Sequence, residues 1–218
     1  MSLFRLDASI RVDGSHSRAI ADIVEREWRD GHPSDETVRR DVGRQPLPAT
    51  AWAAAVTTGW TPEPDWSPEQ REARALAATL VDELVAGDEL IFAVPLYNFG
   101  VSQHIKTWID LIVTDPRAAD QSKPVLAGKP VVLATVRGGA YGPETPRAGW
   151  DHSTAYLVRI LRDLWGADLT VVEREFTLVG VNPALDAFTD QAAENHAVAL
   201  DEAREAGRAL GTPSTAAA

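Results

Sequence analysis

Apolar positions in this chain repeat in two alternating periods. Leu3-Phe4-Arg5-Leu6-Asp7-Ala8-Ser9 follows the period of two that predicts a first strand. Ile20, Ile23, Val24 and Trp28 then fall on one helical face, with Ser15 and Ser17 placed to cap the helix that carries them. A short polar run over residues 36–42 suits an edge strand. Ser67-Pro68-Glu69-Gln70 predicts a helix start, with Ser67 as cap and Pro68 in the first turn, and Gly87 stops that helix. Residues 88–94 form a third strand, 102–113 a helix and 130–136 a fourth, nearly all apolar strand. Tyr156, Leu157, Ile160, Leu161 and Leu164 stripe a helix over 153–165. Residues 169–176 alternate as a fifth strand, and 184–210 form the closing helix.

Strands alternating with helices predict a parallel sheet covered on both faces. Five such strands fit a doubly wound α/β fold with the flavodoxin-like order 2-1-3-4-5. One domain over residues 1–212 is expected, followed by a flexible tail over 213–218. Residues 44–68 do not fit the alternation. They hold five prolines along with Trp52, Trp60 and Trp66, too long a stretch for an ordinary connection. Dimer or lid packing is the expected use of these tryptophans.

Composition narrows the chemistry. No cysteine occurs among the 218 residues, which excludes disulfides, thiolate nucleophiles, iron–sulfur clusters and Cys-based zinc sites. Redox chemistry would need an organic cofactor. With 32 acidic and 21 basic residues the net charge is -11, which disfavours nucleic acid and anionic membranes as partners. No apolar run is long enough to span a bilayer and no signal peptide is legible, so a cytoplasmic location is expected.

In the 2-1-3-4-5 order, the first, third and fourth strands are neighbours, and ligands bind outside their carboxyl ends. Three loops follow those ends. The first carries Ser9, Ser15, His16 and Ser17 before a helix start that favours a phosphate. A dinucleotide-type Gly-x-Gly-x-x-Gly run is missing, so a monophosphate fits better. In the second, Val94 leads into Pro95-Leu96-Tyr97-Asn98-Phe99-Gly100. Pro95 is expected to stop the strand and leave backbone N–H groups facing a flat aromatic ligand. Val136-Arg137-Gly138-Gly139-Ala140-Tyr141 forms the third, whose adjacent glycines let backbone approach such a ligand. Plainer readings exist for each: serines that only cap, Tyr97 and Phe99 as packing, Asn98 as a helix cap, a Gly-Gly turn that needs positive φ. His104 and His152 read as surface or helix-start residues. Arg5 and Asp7 are expected to be partly exposed or paired with neighbours. No metal-ligand cluster is apparent.

Taken together, Ser9 with Ser15-His16-Ser17, Pro95-Leu96-Tyr97-Asn98-Phe99 and Arg137-Gly138-Gly139 resemble the FMN-dependent NADH:quinone oxidoreductases known as azoreductases, over about residues 1–210. The resemblance implies that Ser15, His16 and Ser17 hold the FMN phosphate with Ser9 close by. It implies that residues 96–99 lie against the flavin ring and that residues 136–139 border its pyrimidine side. It further implies NADH or NADPH as electron donor and a homodimer with flavin sites at its interface. Val136 stands where the family usually has a serine. Residues 114–121 lack the aromatic residue that covers the flavin in the family, so Arg117 or a tryptophan of the 52–66 stretch is expected to take that place.

No nucleophile-and-base set is apparent, so the flavin would carry the chemistry: hydride from the nicotinamide to N5, then two-electron reduction of a quinone or azo compound in the same place. Backbone N–H groups near Asn98 and Gly100 would stabilise the charge that develops, and Tyr141 or water would supply protons. The alternatives are a flavoenzyme dedicated to one metabolite and a flavin-binding electron carrier.

Overall fold

The structure, a computed structural model, describes residues 1–210, so the tail expected at 213–218 lies outside the described residues. Five parallel strands run β1 Ser2–Asp7, β2 Glu36–Asp41, β3 Glu89–Tyr97, β5 Pro130–Val136 and β6 Asp168–Arg174, in the order β2-β1-β3-β5-β6. Among these five the order is the expected 2-1-3-4-5. A sixth, two-residue strand, β4 (Gly100–Val101), pairs antiparallel with the end of β3.

Side-chain alternation along the strands divides the core into two layers. Phe4, Leu6, Leu90, Phe92 and Val94 face α3 (Pro68–Ala86) and α4 (Gln103–Ile112), where Leu80, Leu84 and Trp108 meet them. Leu3, Ile91, Ala93, Val132 and Ala134 face α1 (His16–Gly31) and α7 (Thr189–Ala209) on the other side. The α1–α7 contact is close: a Cβ on Gly207 would stand 2.6 Å from the Val24 carbonyl oxygen. Ser67 and Gln70 close a reciprocal capping box at the start of α3, with bonds of 3.2 and 2.8 Å.

Several expectations change. Residues 44–68 contain α2 (Ala51–Thr57), whose Ala51 and Ala55 are buried against the core, then two short 3-10 turns. Trp66 hydrogen-bonds the Thr61 carbonyl at 2.8 Å, whereas Trp52 and Trp60 stand exposed. After a one-turn helix, α5 (Pro116–Ala119), the helix expected over 153–165 is α6 (Thr154–Val158) continued by a π-helical turn, Arg159–Leu164. The closing helix begins only at Thr189, after a 3-10 turn at Pro183–Phe188. Arg5 and Asp7 are paired at 2.9 Å, as one of the two expectations had it, but they are fully buried rather than partly exposed, because α1 brings Asp22 and Glu25 over Arg5.

Pro95 does not end β3. The Ala8 N–H donates to the Ala93 carbonyl at 3.0 Å, so the odd-numbered residues here bond toward β1. β1 ends at Asp7, two registers short of Pro95, so the missing proline N–H faces no strand. The side toward β5 stays paired, with Pro95 opposite Val136.

Candidate active site

At the carboxyl ends of β1, β3, β5 and β6 lies a cleft of about 390 Å³. One end is the start of α1. Ser15 is its N-cap, accepting from the Arg18 N–H, and its hydroxyl lies 3.5 Å from that of Ser17. Both serines are buried, and Gly14 turns the approaching chain at φ 66°. His16 sits beside them, its Nδ1 3.0 Å from Arg174 Nη1 at the end of β6. Arginine can only donate, so Nδ1 accepts and the His16 ring proton belongs on Nε2. Burial pushes the His16 pKa below its ordinary value, and the Arg174 and Arg11 guanidiniums push it the same way. The result is an electropositive pocket at a helix N-terminus inside an acidic protein.

The middle wall is a β-hairpin. Tyr97 pairs with Gly100 across a two-residue turn in which Asn98 (φ 47°) and Phe99 (φ 68°) are both left-handed, as a type I′ turn demands. Glycine is the usual second residue of such a turn, so Phe99 holds a costly conformation. Asn98 does not cap the next helix; Ser102 does, accepting from the Ile105 N–H. Gly100 is engaged in the hairpin pairing and does not line the cleft, which removes its N–H from the expected set of donors. The Tyr97 hydroxyl ties this hairpin to the first loop, 3.1 Å from Ser9 Oγ and accepting from the Ile10 N–H at 3.3 Å.

The third wall follows β5. Val136 and Gly138 line the cleft beside Pro95 and Leu96, while Gly139 and the Arg137 side chain do not. The buried Arg137 side chain instead turns to Asp151 (2.7 Å), Glu173 (2.5 Å) and Glu175 (3.4 Å). Burial pushes the Asp151 carboxyl up, but hydrogen bonds from Thr154 and Ser153 and the Arg137 charge hold it below the usual range. Arg137 therefore anchors the loop that begins at Asp151. The room left by Gly138 is filled by the protein itself, since a Cβ there would lie 2.6 Å from Leu178 Cδ1. Tyr141 lines the cleft with its N–H donated to Glu175 at 2.8 Å.

Neither Arg117 nor the tryptophans at 52, 60 and 66 line the cleft. Arg117 is paired with Asp115 and Asp82. The aromatic residues near Phe99 come instead from the loop after β5. Trp150 makes an edge contact with Phe99 at 5.4 Å, and Tyr141 makes another at 6.4 Å.

Residues 1–202 match the family of flavodoxin-like fold. An FMN-dependent NADH:quinone oxidoreductase of Frankia casuarinae is 39% identical over 204 residues, covering 93% of this chain and 96% of that protein. Its counterpart in Streptomyces coelicolor is 31% identical over 212 residues, 94% of each chain. This chain belongs to the FMN-dependent NADH:quinone oxidoreductase family. The crystal structure of an azoreductase from Bacillus anthracis shares its fold, with a TM-score of 0.77 at 20% identity over 96% of this chain and 100% of that one. A second Bacillus anthracis structure, an FMN-dependent NADH-azoreductase in complex with FMN, has a TM-score of 0.76 at 16% identity, covering 96% of this chain and 99% of that one.

Within this family member, the cleft contains residues that the three-loop reading does not include. Thr177 and Leu178 come from the loop after β6, laid on the third wall by bonds from Thr177 N–H to Arg137 O (3.0 Å) and Leu178 N–H to Gly138 O (3.1 Å). The carboxyl-end rule, applied also to the last strand, would have pointed to them. Arg11 lines the cleft from within the first loop, and Arg147 from the stretch of the loop after β5 beyond Tyr141; no motif singles out either side chain.

Proposed function

We propose that this protein is an FMN-dependent NAD(P)H:quinone oxidoreductase that also reduces azo compounds. The observation that carries this reading is the convergence, on one cleft, of an electropositive helix start and a hairpin with an aromatic residue in a costly turn. The residues suit FMN. Ser15, Ser17 and the N-terminus of α1 would hold the phosphate, with Ser9, His16 and Arg11 around it. A phosphate there would draw the depressed His16 pKa back up, so that FMN binding is coupled to proton uptake at His16. Leu96, Tyr97, Asn98 and Phe99 would flank one side of the ring, with Val136 and Gly138 along its edge and Leu178 beside them.

When bound, FMN supplies two-electron hydride chemistry, taking electrons from NADH or NADPH and delivering them to the acceptor in the same place. The protein binds and orients. The N–H of Asn98, held by the rigid turn, is a preorganised donor toward the ring edge. Tyr141, at the open mouth, is the side chain placed to pass a proton to the acceptor, with water as the other source. We further propose a cytoplasmic homodimer with the clefts at its interface. Exposed Phe99, Trp150 and Leu178 at the cleft give such an interface apolar surface. No described helix is long and apolar enough to cross a membrane, and no described cluster of His, Asp and Glu could hold a metal ion.

The test is spectroscopic. The purified protein is expected to be yellow, or to take up added FMN, to bleach with NADH under anaerobic conditions and to regain colour on adding menadione or methyl red. A colourless protein that takes up no FMN would falsify the reading. Bound FMN that NADH leaves oxidised would favour an electron carrier.

The strained turn gives a second test. Phe99→Gly creates an Asn-Gly turn and should stabilise the fold by about 1 kcal/mol, raising Tm by about 2–4 °C. It should also weaken FMN binding, because the ring contact is lost. A variant with lower Tm and unchanged FMN affinity would contradict both the strain and the role of Phe99.

A further inference from the structure

The loop after β5 carries a feature that flavin binding does not require. Arg147 stands exposed at the mouth of the cleft, with its guanidinium carbon 5.9 Å from the centre of the Phe99 ring and 5.8 Å from that of Tyr141. Its Nη1 lies 3.4 Å from the Tyr141 hydroxyl. Among the described residues no carboxylate lies within ion-pair distance of it, although the chain carries 32 acidic residues. Arg5, Arg18 and Arg137 are by contrast each held by two or more carboxylates, while Arg11 and Arg174, which also lack one, stand at the other end of the cleft around His16. Arg147 is held by ring faces instead, which position a guanidinium without neutralising it.

The loop that carries it is well tied. Thr145 Oγ1 donates to Gly142 O at 2.8 Å, Gly149 turns the chain at φ 78°, and the His152 N–H donates to the Phe99 carbonyl at 2.9 Å. The last bond fixes the loop to the hairpin turn itself. Asp151, bonded to Arg137, fixes it to β5. The charge is thus presented over the aromatic mouth by a loop pinned on two sides. With a net charge of -11, the surface as a whole repels anions, and a local cation is what an anionic ligand would need.

We propose that Arg147 is a specificity-determining residue that selects electron acceptors bearing a carboxylate or sulfonate beside their aromatic ring. This rests on the proposed flavin-dependent quinone reduction and names the acceptor class of that same site. The apolar part of the acceptor meets Phe99, Tyr141 and Trp150, while its anionic group takes the planar, bidentate fork that the guanidinium offers.

The test compares holoenzyme and the Arg147→Gln variant on menadione and on 1,4-naphthoquinone-2-sulfonate, with NADH as donor. The wild type should favour the sulfonate, and the ratio of kcat/KM values, sulfonate over menadione, should fall about 10-fold in the variant. Arg147→Lys, which keeps the charge and loses the fork, should fall between. A binding readout accompanies it: inert naphthalene-2-sulfonate, followed by flavin absorbance or tryptophan fluorescence, should bind the variant about 10-fold more weakly, and bind the wild type more weakly as salt rises. Naphthalene-2-sulfonamide, neutral and of like shape, should distinguish the two proteins far less. An unchanged sulfonate-to-menadione ratio would overturn the proposal. So would a variant whose only change is a raised KM for NADH, since the anion held would then be the pyrophosphate of the donor. Wild-type protein that holds FMN and reduces menadione, yet shows no preference for the sulfonate, overturns this inference alone. Wild-type protein without flavin or quinone reduction overturns the proposed function and this inference with it.

Discussion

Replacing Gly43 by alanine is expected to destabilise the protein by about 3 kcal/mol and to strip it of flavin. Gly43 follows β2 and lies directly beneath the first loop of the cleft. A Cβ built on it would stand 2.0 Å from the Ser9 carbonyl oxygen, 2.6 Å from the Ser9 carbonyl carbon and 3.1 Å from the Ala8 carbonyl carbon. All three are backbone atoms, so no side-chain rotation relieves the clash. The Ser9 carbonyl is also committed to Arg18 Nη2 at 2.8 Å, and the Gly43 N–H to the Asp7 carbonyl at 3.3 Å. The loop that would hold the phosphate must therefore shift, or the end of β2 must detach. A loss of about 3 kcal/mol in a domain of this size lowers Tm by roughly 6–12 °C. FMN affinity should fall at least about 10-fold, since positioned groups lose their value when displaced by an ångström. Gly59→Ala is the control, because nothing lies within 4 Å of the added methyl group, and its Tm should match that of the wild type. Thermal melts and FMN titrations of the two variants check the prediction. Equal Tm and equal FMN affinity for Gly43→Ala and wild type would show that the packing beneath Ser9 is looser than described.

What was legible in the sequence, and what was not, follows from how far apart the interacting residues lie. The strand–helix alternation is local, and it carried the sheet order. The carboxyl-end rule then brought Ser9, Ser15, His16, Ser17, residues 95–99, Val136 and Gly138 to one cleft. The reading broke where the decisive partner is distant. Alternation left Arg5 and Asp7 either partly exposed or paired; they are paired, and their complete burial follows only once α1 lays Asp22 and Glu25 over Arg5. Pro95 looks like a strand stop until β1 is seen to end before reaching it. The paired glycines after β5 suggested room for a ligand, but Leu178 of the loop after β6 fills the space at Gly138. Arg137, read as part of the flavin wall, turns away because Asp151, Glu173 and Glu175 surround it. Arg147 and Trp150 come from a loop of no clear pattern, and only its tie to the hairpin brings them over Phe99.

Removing Arg5 should be comparably severe for stability. Its side chain is 1% exposed and bonds Asp7 Oδ1 at 2.9 and 3.2 Å, Asp22 at 2.6 Å and Glu25 at 2.9 Å. Asp7, with no exposed surface, keeps only Arg18 at 3.4 Å once Arg5 is gone. Arg5→Met leaves buried carboxylates under-compensated, and breaking a buried pair in this way costs about 3–5 kcal/mol. Arg5→Met combined with Asp7→Leu should recover much of that loss, since the charge in need of a partner is then also gone, while Glu25 retains Arg39 and Arg29 at 2.5 and 3.0 Å. Denaturant unfolding of the wild type, both single variants and the double variant closes the cycle. A double variant no more stable than Arg5→Met would show that the guanidinium contributes by packing, with little from its charge. Glu25 adds a pH dependence. Burial pushes its carboxyl up, but Arg39, Arg29 and Arg5 together outweigh that and hold it below its ordinary value of 4.5. A carboxylate with a depressed folded pKa contributes stability that is present above about pH 4.5 and is lost as pH falls through the folded value. In Arg5→Met one of its three cations is missing, so Glu25 is depressed less and gives up less on acidification. The stability gap between wild type and Arg5→Met should therefore be widest near neutral pH and narrow below about pH 4.5. A gap that stays constant through that range would place the cost of the substitution in lost packing beneath the first loop of the cleft.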